Sequence, residues 1–419
     1  MSDTSINEVP EEQGSGINGV PEEQNSEPRL DSIGELDGRL ATVLQVLPAL
    51  GGTGGVERGT VEIAQAVVES GGRALVASAG GLLEHDLKRV GAEHFTLPVD
   101  SKNPFVMWAN VARLSELIQK QNVDVVHVRS RAPAWSAFFA ARRTARPFVT
   151  TFHGTYNEGG WLKRRYNSIM TRGARVIAIS GFIAGLVRQR YGVPASVIRV
   201  IHRGVELERF DPAQISAERV VALATQWRLD DGLPVVMLPG RLTRWKGQTV
   251  FIEAIAKLNR TNLRCVLVGD DQGRTGYRSE LEGLIEKYDL SEVVRFVDHC
   301  NDMPAAFMLA DLVVSASTDP EAFGRIVPEA QAMGRPVIVS NHGGARETVI
   351  EGETGWLTEP GDAGALADAI TRVLDLSEAA RNQMAKRAIA NVRENFSRQS
   401  MCTKTLEVYN DVLRLKMSA

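Results

Sequence analysis

Apolar and polar positions along this chain follow two periods that take turns. Short apolar runs at Leu40–Leu47, Arg73–Ser78, Val123–Val128, Pro147–Thr151 and Arg175–Ile179 predict buried strands. Between them, stretches with apolar residues three and four apart, such as Val56–Ser70 and Val106–Gln119, predict helices. The cycle restarts with strands at Pro234–Leu238, Leu263–Val268, Val293–Val297, Leu312–Ser315 and Pro336–Val339 and a helix at Gln248–Leu258. Apolar runs alternating with helices mean βαβ units and parallel sheets, so the fold class is α/β. Two such series in 419 residues predict two successive doubly wound domains, with the boundary between Val205 and Leu233 near Asp211-Pro212 and the helix Ala217–Trp227. The expected division is a tail over residues 1–36, a first Rossmann-like domain over 37–215 and a second over 216–399. A last helix near Met401–Lys416 is expected to cross back to the first domain over 400–419.

The first residues do not share this pattern. Ile6-Asn-Glu-Val-Pro-Glu-Glu-Gln13 returns as Ile17-Asn-Gly-Val-Pro-Glu-Glu-Gln24, a repeat that is acidic and poor in aromatics. Such a segment buries too little surface to offset its ordering entropy, so residues 1–36 are expected to be disordered. Up to Asp37 there are ten acids and one base, Arg29, which leaves a net positive charge on the rest. A dedicated nucleic-acid binder would show a larger and more clustered excess, so no nucleic acid is expected as a partner. The three cysteines, Cys265, Cys300 and Cys402, are far apart and suit a reducing compartment. No secretory leader and no apolar run of about 18 residues occurs, so a cytoplasmic location is expected.

Three stretches carry chemistry. Leu50-Gly-Gly-Thr-Gly-Gly-Val-Glu57 joins a strand to a helix, where bare backbone lets a ligand approach. It is a poor dinucleotide fingerprint, because Glu57 stands where a third glycine belongs and the next strand ends without an acid. Arg241 and Lys246 follow the first strand of the second series, at the end of the sheet where open α/β folds bind ligands. A guanidinium fork and a compact ammonium together suit a diphosphate. Finally, Glu321 and Glu329 flank Phe323-Gly324 at the start of the helix Ile326–Met333. A carboxylate on an apolar helix face needs hydrogen-bond donors, and vicinal sugar hydroxyls supply them.

Together these residues resemble the retaining, nucleotide-sugar-dependent glycosyltransferases of the GT-B fold, family 4 in the sequence classification. The resemblance covers almost the whole chain after the tail. It rests on the glycine loop with Gly54, Gly55 and Glu57; His153-Gly154; Ser180; Arg203-Gly-Val; Gly-Arg-Leu with Lys246-Gly; Val268-Gly269; and the Glu-x7-Glu pair followed by Ala-Met-Gly-Arg-Pro-Val. It implies two Rossmann-like doubly wound domains facing a cleft, with the donor bound mainly to the second and the acceptor to the first. It implies that Arg241 and Lys246 hold the donor diphosphate, that Glu329 holds the ribose, and that Glu321 with Phe323 and Gly324 holds the transferred sugar. His153 would reach that sugar across the cleft, and Gly54 and Gly55 would lie near the phosphates. The implied catalytic set is His153, Arg241, Lys246 and Glu321, with Glu57, Arg129 and Arg131 on the acceptor side and no general base assigned. The co-substrate would be a GDP- or UDP-linked sugar, with no metal and no further cofactor.

Where many relatives carry His-x-His, this chain has His127-Val-Arg-Ser-Arg131, a form that resembles the bacterial branch building lipopolysaccharide core and related envelope glycans. Ala322 departs from the glycine common in relatives. The first domain is rich in bases: Arg142, Arg143, Arg146, Lys163, Arg164 and Arg165, beside Trp161 and Tyr166. An anionic saccharide or glycolipid acceptor and peripheral contact with the inner face of a membrane are therefore expected. Two other readings fit the same fold: a sugar-nucleotide epimerase, which would release free sugar, and a non-catalytic nucleotide-sugar binding protein.

Overall fold

The computed structural model describes residues 33–36, 39–51, 55–156, 159–273 and 275–417. The repeat Ile6–Gln24 and Gly54 lie outside them. Disorder was expected as far as residue 36, but the chain is already ordered at Ile33, which is buried beneath the first sheet. The Gly34 amide donates to Asn410 Oδ1 at 2.6 Å, and Glu35–Leu36 (β1) pairs antiparallel with Arg39–Leu40 (β2).

Two parallel sheets form the body. The first holds β3 (Thr42–Val46), β4 (Arg73–Ser78), β5 (Glu93–Thr96), β6 (Val125–Val128), β7 (Phe148–Phe152), β8 (Arg175–Ala178) and β9 (Ile198–Val200). Their spatial order is β5-β4-β3-β6-β7-β8-β9. The second holds β10 (Val235–Pro239), β11 (Arg264–Val268), β12 (Val294–Val297), β13 (Leu312–Ser315), β14 (Val337–Ser340) and β15 (Trp356–Thr358), in the order β12-β11-β10-β13-β14-β15. Both orders reverse beside the first strand of the series, so each sheet has a switch point where a crevice opens at the carboxyl ends of its strands. Every residue of β3, β7 and β10 is buried, as expected of strands covered by helices on both faces. Three edge strands escape the apolar reading. Glu93–Thr96 has one apolar residue, Phe95, between His94 and Thr96, and Ile198–Val200 and Trp356–Thr358 have only three residues each.

The chain crosses between the two sheets twice, and the crossings are paired. The Val205 amide donates to the Phe396 carbonyl at 2.7 Å, and the Arg398 amide donates to the Val205 carbonyl at 2.8 Å. A side chain on Gly204 would overlap the Arg398 backbone, so only glycine lets the two strands of chain lie this close. The last helix, Arg398–Met417, then packs on the first sheet. Its Tyr409 is fully buried, and the hydroxyl bonds His127 Nδ1 at 2.7 Å while Thr151 Oγ1 bonds His127 Nε2 at 2.7 Å. His127 is thus a satisfied core histidine. Burial, reinforced by the charge of Arg129, holds its pKa well below the ordinary value. Among the described residues no helix is long and apolar enough to cross a membrane.

Candidate active site

The carboxyl edge of the second sheet assembles one half of the site. Leaving β10, the chain turns through Arg241 and a single helical turn, Arg244–Lys246, and enters the helix Gln248–Leu258. Gly247 joins turn to helix at φ +74°, packed so tightly on the Ala316 carbonyl that a Cβ would overlap it. That close approach lays Lys246 against the loop leaving β13. Lys246 Nζ lies 2.8 Å from Glu321 Oε1, with both side chains nearly buried. The same oxygen accepts from Ser317 Oγ at 2.6 Å and faces Ser315 Oγ at 3.4 Å. Oε2 of Glu321 has no protein donor among the described residues. The loop itself is fixed by the Gly344 amide, which donates to the Glu321 carbonyl at 2.7 Å, and by His342 Nε2, 2.8 Å from the Ser317 carbonyl.

The sequence assigned Lys246 and Glu321 to different parts of a ligand; the structure joins them into one ion pair. Arg241 differs. It is exposed, and its guanidinium has no ion-pair partner among the described residues. Phe323 is buried and packs near His202 and Phe396, so its ring supports the loop and only its backbone faces the site. Gly324 follows at φ +76°. Glu329 lies in the first turn of the helix Ile326–Ala332, with a side chain 14% exposed and Oε1 3.3 Å from Arg325 Nε. Burial raises its pKa above the ordinary carboxyl value, opposed by the charges of Arg325, Arg209 and Arg58.

The first sheet supplies the facing half. Helix Gly55–Glu69 begins against the second half: a Cβ on Gly55 would stand 3.6 Å from Arg203 Nη2 and 3.7 Å from Arg325 Nη1. Glu57 is half-buried in the first turn. Arg129 leaves β6 fully buried and donates to Gln45 Oε1 at 3.2 Å. Arg131 turns elsewhere, stacking over Tyr156 at 4.2 Å and donating to Asn167 Oδ1 at 3.0 Å. Of the acceptor-side candidates Arg129 and Arg131, two residues apart, the side chains serve different neighbourhoods. His153 follows β7, and both its ring nitrogens are buried without a hydrogen-bond partner. Burial first, then the charges of Arg203, Arg129 and His127, push its pKa well down, so the ring is neutral.

The halves meet at named contacts. Ser180 Oγ donates to the Ala322 carbonyl at 2.6 Å. Glu347 accepts from the amides of Gly181 and Phe182 at 2.8 and 2.7 Å and pairs with His202 Nε2 at 2.9 Å. A carboxylate from one sheet thus caps a helix of the other. Arg203, Arg325, Glu347 and the serines around Glu321 were not expected as site residues. Arg203 stood in a quoted motif, but its burial against a helix of another strand cannot be read from spacing. Among the described residues no group of three or more His, Cys, Asp or Glu side chains converges.

Comparison with known proteins fits this arrangement. The Glycosyl transferases group 1 family matches residues 222–391, and Glycosyltransferase Family 4 matches 53–209. A crystal structure of a glycosyltransferase from Rickettsia africae ESF-5 superposes with a TM-score of 0.83 at 37% identity, over 89% of this chain and 99% of that one. The chain belongs to the group 1 glycosyltransferases. Anabaena Alr3699/HepE, solved with UDP, superposes at 0.75 with 25% identity over 90% and 100% of the two chains. It has also been solved with UDP-glucose. The D-inositol 3-phosphate glycosyltransferase of Corynebacterium glutamicum (strain R) is 31% identical over 53% of this chain, a match that spans only 54% of that protein. This glycosyltransferase has the GT-B fold, two Rossmann-like domains, and the half-site with Lys246 and Glu321 lies within the group 1 match.

Proposed function

We propose that this glycosyltransferase moves a hexose, with retention, from a GDP- or UDP-linked sugar to a lipid-linked or lipopolysaccharide-core saccharide in envelope glycan synthesis. The observation that carries the donor reading is the split environment of Glu321. One of its oxygens is saturated by Lys246 and Ser317, and the other is left for a sugar hydroxyl. Arg241 and Lys246 would neutralise the departing diphosphate without reorganising at the moment of reaction. Glu329, poised against Arg325, would accept the ribose hydroxyls, and neutral His153 would meet the sugar from the facing domain. The UDP and UDP-glucose complexes of the Anabaena relative support a uridine donor among the alternatives.

The acceptor surface is read from the exposed aromatics of the first domain. Phe105 is 85% exposed, Trp108 69% and Trp161 73%, and Trp108 stacks on Phe139. Trp135 Nε1 donates to the Tyr166 carbonyl and Ser136 Oγ to the Met107 carbonyl, which ties the three helices bearing these residues together. Arg142, Arg143, Lys163 and Arg165 are exposed around them. Aromatic rings among bases suit the interface of an anionic membrane, which supports a peripheral position on the cytoplasmic face of an inner membrane. Screening GDP- and UDP-sugars for diphosphate release, with and without membrane extract, tests the activity. Release that yields only free sugar would replace transfer by hydrolysis or epimerisation. Equal retention by anionic and neutral vesicles at low salt would remove the membrane assignment.

A further inference from the structure

Two buried guanidinium groups remain after the donor site is described. Arg203 is 7% exposed and Arg129 is 3% exposed, and both press on the helix Gly55–Glu69 at Gly59. A Cβ on Gly59 would overlap the Arg203 guanidinium and stand 3.0 Å from Arg129 Nη2. Glycine inside a helix costs about 1 kcal/mol relative to alanine. Here it opens a notch that two arginine tips fill. Neither arginine forms an ion pair with a carboxylate among the described residues, and the charge of Glu62, which reaches both, does not outweigh burial. Arg129 has one neutral partner, Gln45, and its Nε is buried without any. The two nitrogens of His153, within the influence of both arginines, are likewise unsatisfied.

Unpaired charge at this depth is expensive and has one ordinary remedy, an anion. Burial, followed by the charges of Arg129 and Arg325, pulls Arg203 down to about 9, so it is still cationic at neutral pH. The pair belongs to the other domain from the donor's cations, with Arg203 reaching as far as Gly55 at the start of the first helix. Arg241 and Lys246 come from the second sheet, whereas Arg129 and Arg203 leave β6 and β9 of the first. Gly59 is one turn deeper into the first domain than Gly55, where the two halves meet. Two cations already answer the charge that leaves with a nucleoside diphosphate.

We infer that Arg129 and Arg203, with His153 as a hydrogen-bonding third member, form a receptor in the first domain for a phosphate group carried by the acceptor. The inference rests on the transferase reading and adds to it the chemical class of the acceptor and the residue, Arg203, that selects it. Arg203 forks two donors toward two phosphate oxygens, Arg129 adds charge, and neutral His153 donates one N–H. An acceptor lacking the phosphate would leave the two guanidinium groups desolvated and unpaired, which is how such a site discriminates.

The test is calorimetric titration of the full-length protein with inorganic phosphate, alone and with saturating UDP or GDP. Arg203→Met removes the fork. Gly59→Ala pushes the fork aside while favouring the helix, so it stays informative if Arg203→Met does not fold. Arg241→Gln serves as the donor-side control. Wild type should bind phosphate and nucleotide together. Arg203→Met and Gly59→Ala should each weaken phosphate about ten- to a hundredfold, the loss of a charge-assisted hydrogen bond. Their nucleotide affinity should stay within about threefold, and Arg241→Gln should show the reverse pattern. Displacement of phosphate by hexose 6-phosphate assigns the group to a saccharide, and displacement only by a short-chain phosphatidic acid assigns it to a lipid. Competition between phosphate and nucleotide in wild type gives the arginine pair to the donor and overturns the inference, as does absence of phosphate binding to folded protein. Failure of every nucleotide to bind would instead overturn the donor reading, and the phosphate titration still decides the arginine pair.

Discussion

The ion pair between Lys246 and Glu321 allows a quantitative test in the ligand-free protein. The two atoms are 2.8 Å apart, and the side chains are 13% and 10% exposed. Breaking a buried pair by deleting one partner costs roughly 3–5 kcal/mol. Glu321 would retain Ser317 at 2.6 Å, and a retained hydrogen bond to a charged group offsets about 1.5 kcal/mol of this. Lys246→Met should therefore cost about 2–3 kcal/mol, a fall of about 5–10 °C in Tm for domains of this size. Glu321→Gln leaves the ammonium 4.7 Å from the centre of the Trp245 ring and facing an amide oxygen, so its cost should be smaller, about 1–2 kcal/mol. The double variant should lose less than the sum by about 1.5 kcal/mol or more, because each single change strands the other charge. Thermal melts of the four proteins without nucleotide supply the cycle. Additivity within about 0.5 kcal/mol would show that the residues do not feel each other, and the reasoning about a shared oxygen would fall with it.

Three further outcomes follow from the site and its frame. Glu329 is held above the ordinary carboxyl pKa, so its contribution to stability is present below the unfolded value and lost as pH rises through the folded one. Glu329→Gln should then melt higher than wild type without ligand, by a margin that grows from pH 4 to pH 8, yet bind donor about ten- to a hundredfold more weakly; a margin that shrinks with pH refutes the assignment. Glu347 behaves oppositely. Burial opposes its charge, but His202 and the amides of Gly181 and Phe182 win and hold its pKa low, so its stabilisation exists above the unfolded value and disappears as pH falls through the folded one. Glu347→Gln should weaken the contact between domains by about 1.5–3 kcal/mol, read as a larger radius of gyration in X-ray scattering at pH 7, while wild type should expand only on acidification. Gly204→Ala forces a methyl into the Arg398 backbone and should cost at least about 1–3 kcal/mol of thermal stability; a neutral result would mean that the two crossings are not tightly paired.

The strands with continuous apolar runs were legible because burial on both faces writes itself into composition. Gln248–Leu258 and Arg73–Ser78 have the bounds that periodicity predicts. The edge strands were not legible, since Glu93–Thr96 has no continuous apolar run and three residues at β9 and β15 show no period. At the site, the motifs assigned Glu321, Glu329, Arg241 and Lys246 to one ligand but did not say which of them pair with each other. The Lys246–Glu321 bond spans 75 positions and depends on the approach of Gly247 to Ala316, which is tertiary. Arg129 and Arg131 look equivalent two residues apart. Yet one follows a strand into the cleft, and the other opens a helix and turns onto Tyr156. Arg203 was hidden for a related reason: its meaning comes from Gly59, on a helix that precedes it by some 140 positions.

The return of the chain at Arg398 has a consequence for biosynthesis. The first domain's sheet is complete at Val200, but the residues that cover one of its faces are translated only after the whole second sheet. Leu406, Tyr409, Val412 and Leu413 are all buried there, and Asp411 pairs with Arg175 and Arg199. A nascent chain that has released both sheets still exposes His127 without its tyrosine and an apolar face without its cover. The first domain therefore cannot finish folding until the second domain and the helix Arg398–Met417 have been translated, and the usual order in which an N-terminal domain matures first is inverted. A ribosome that stalls within this helix would release a protein with an intact second domain and an unfinished first domain, open to chaperones and proteases on that side alone.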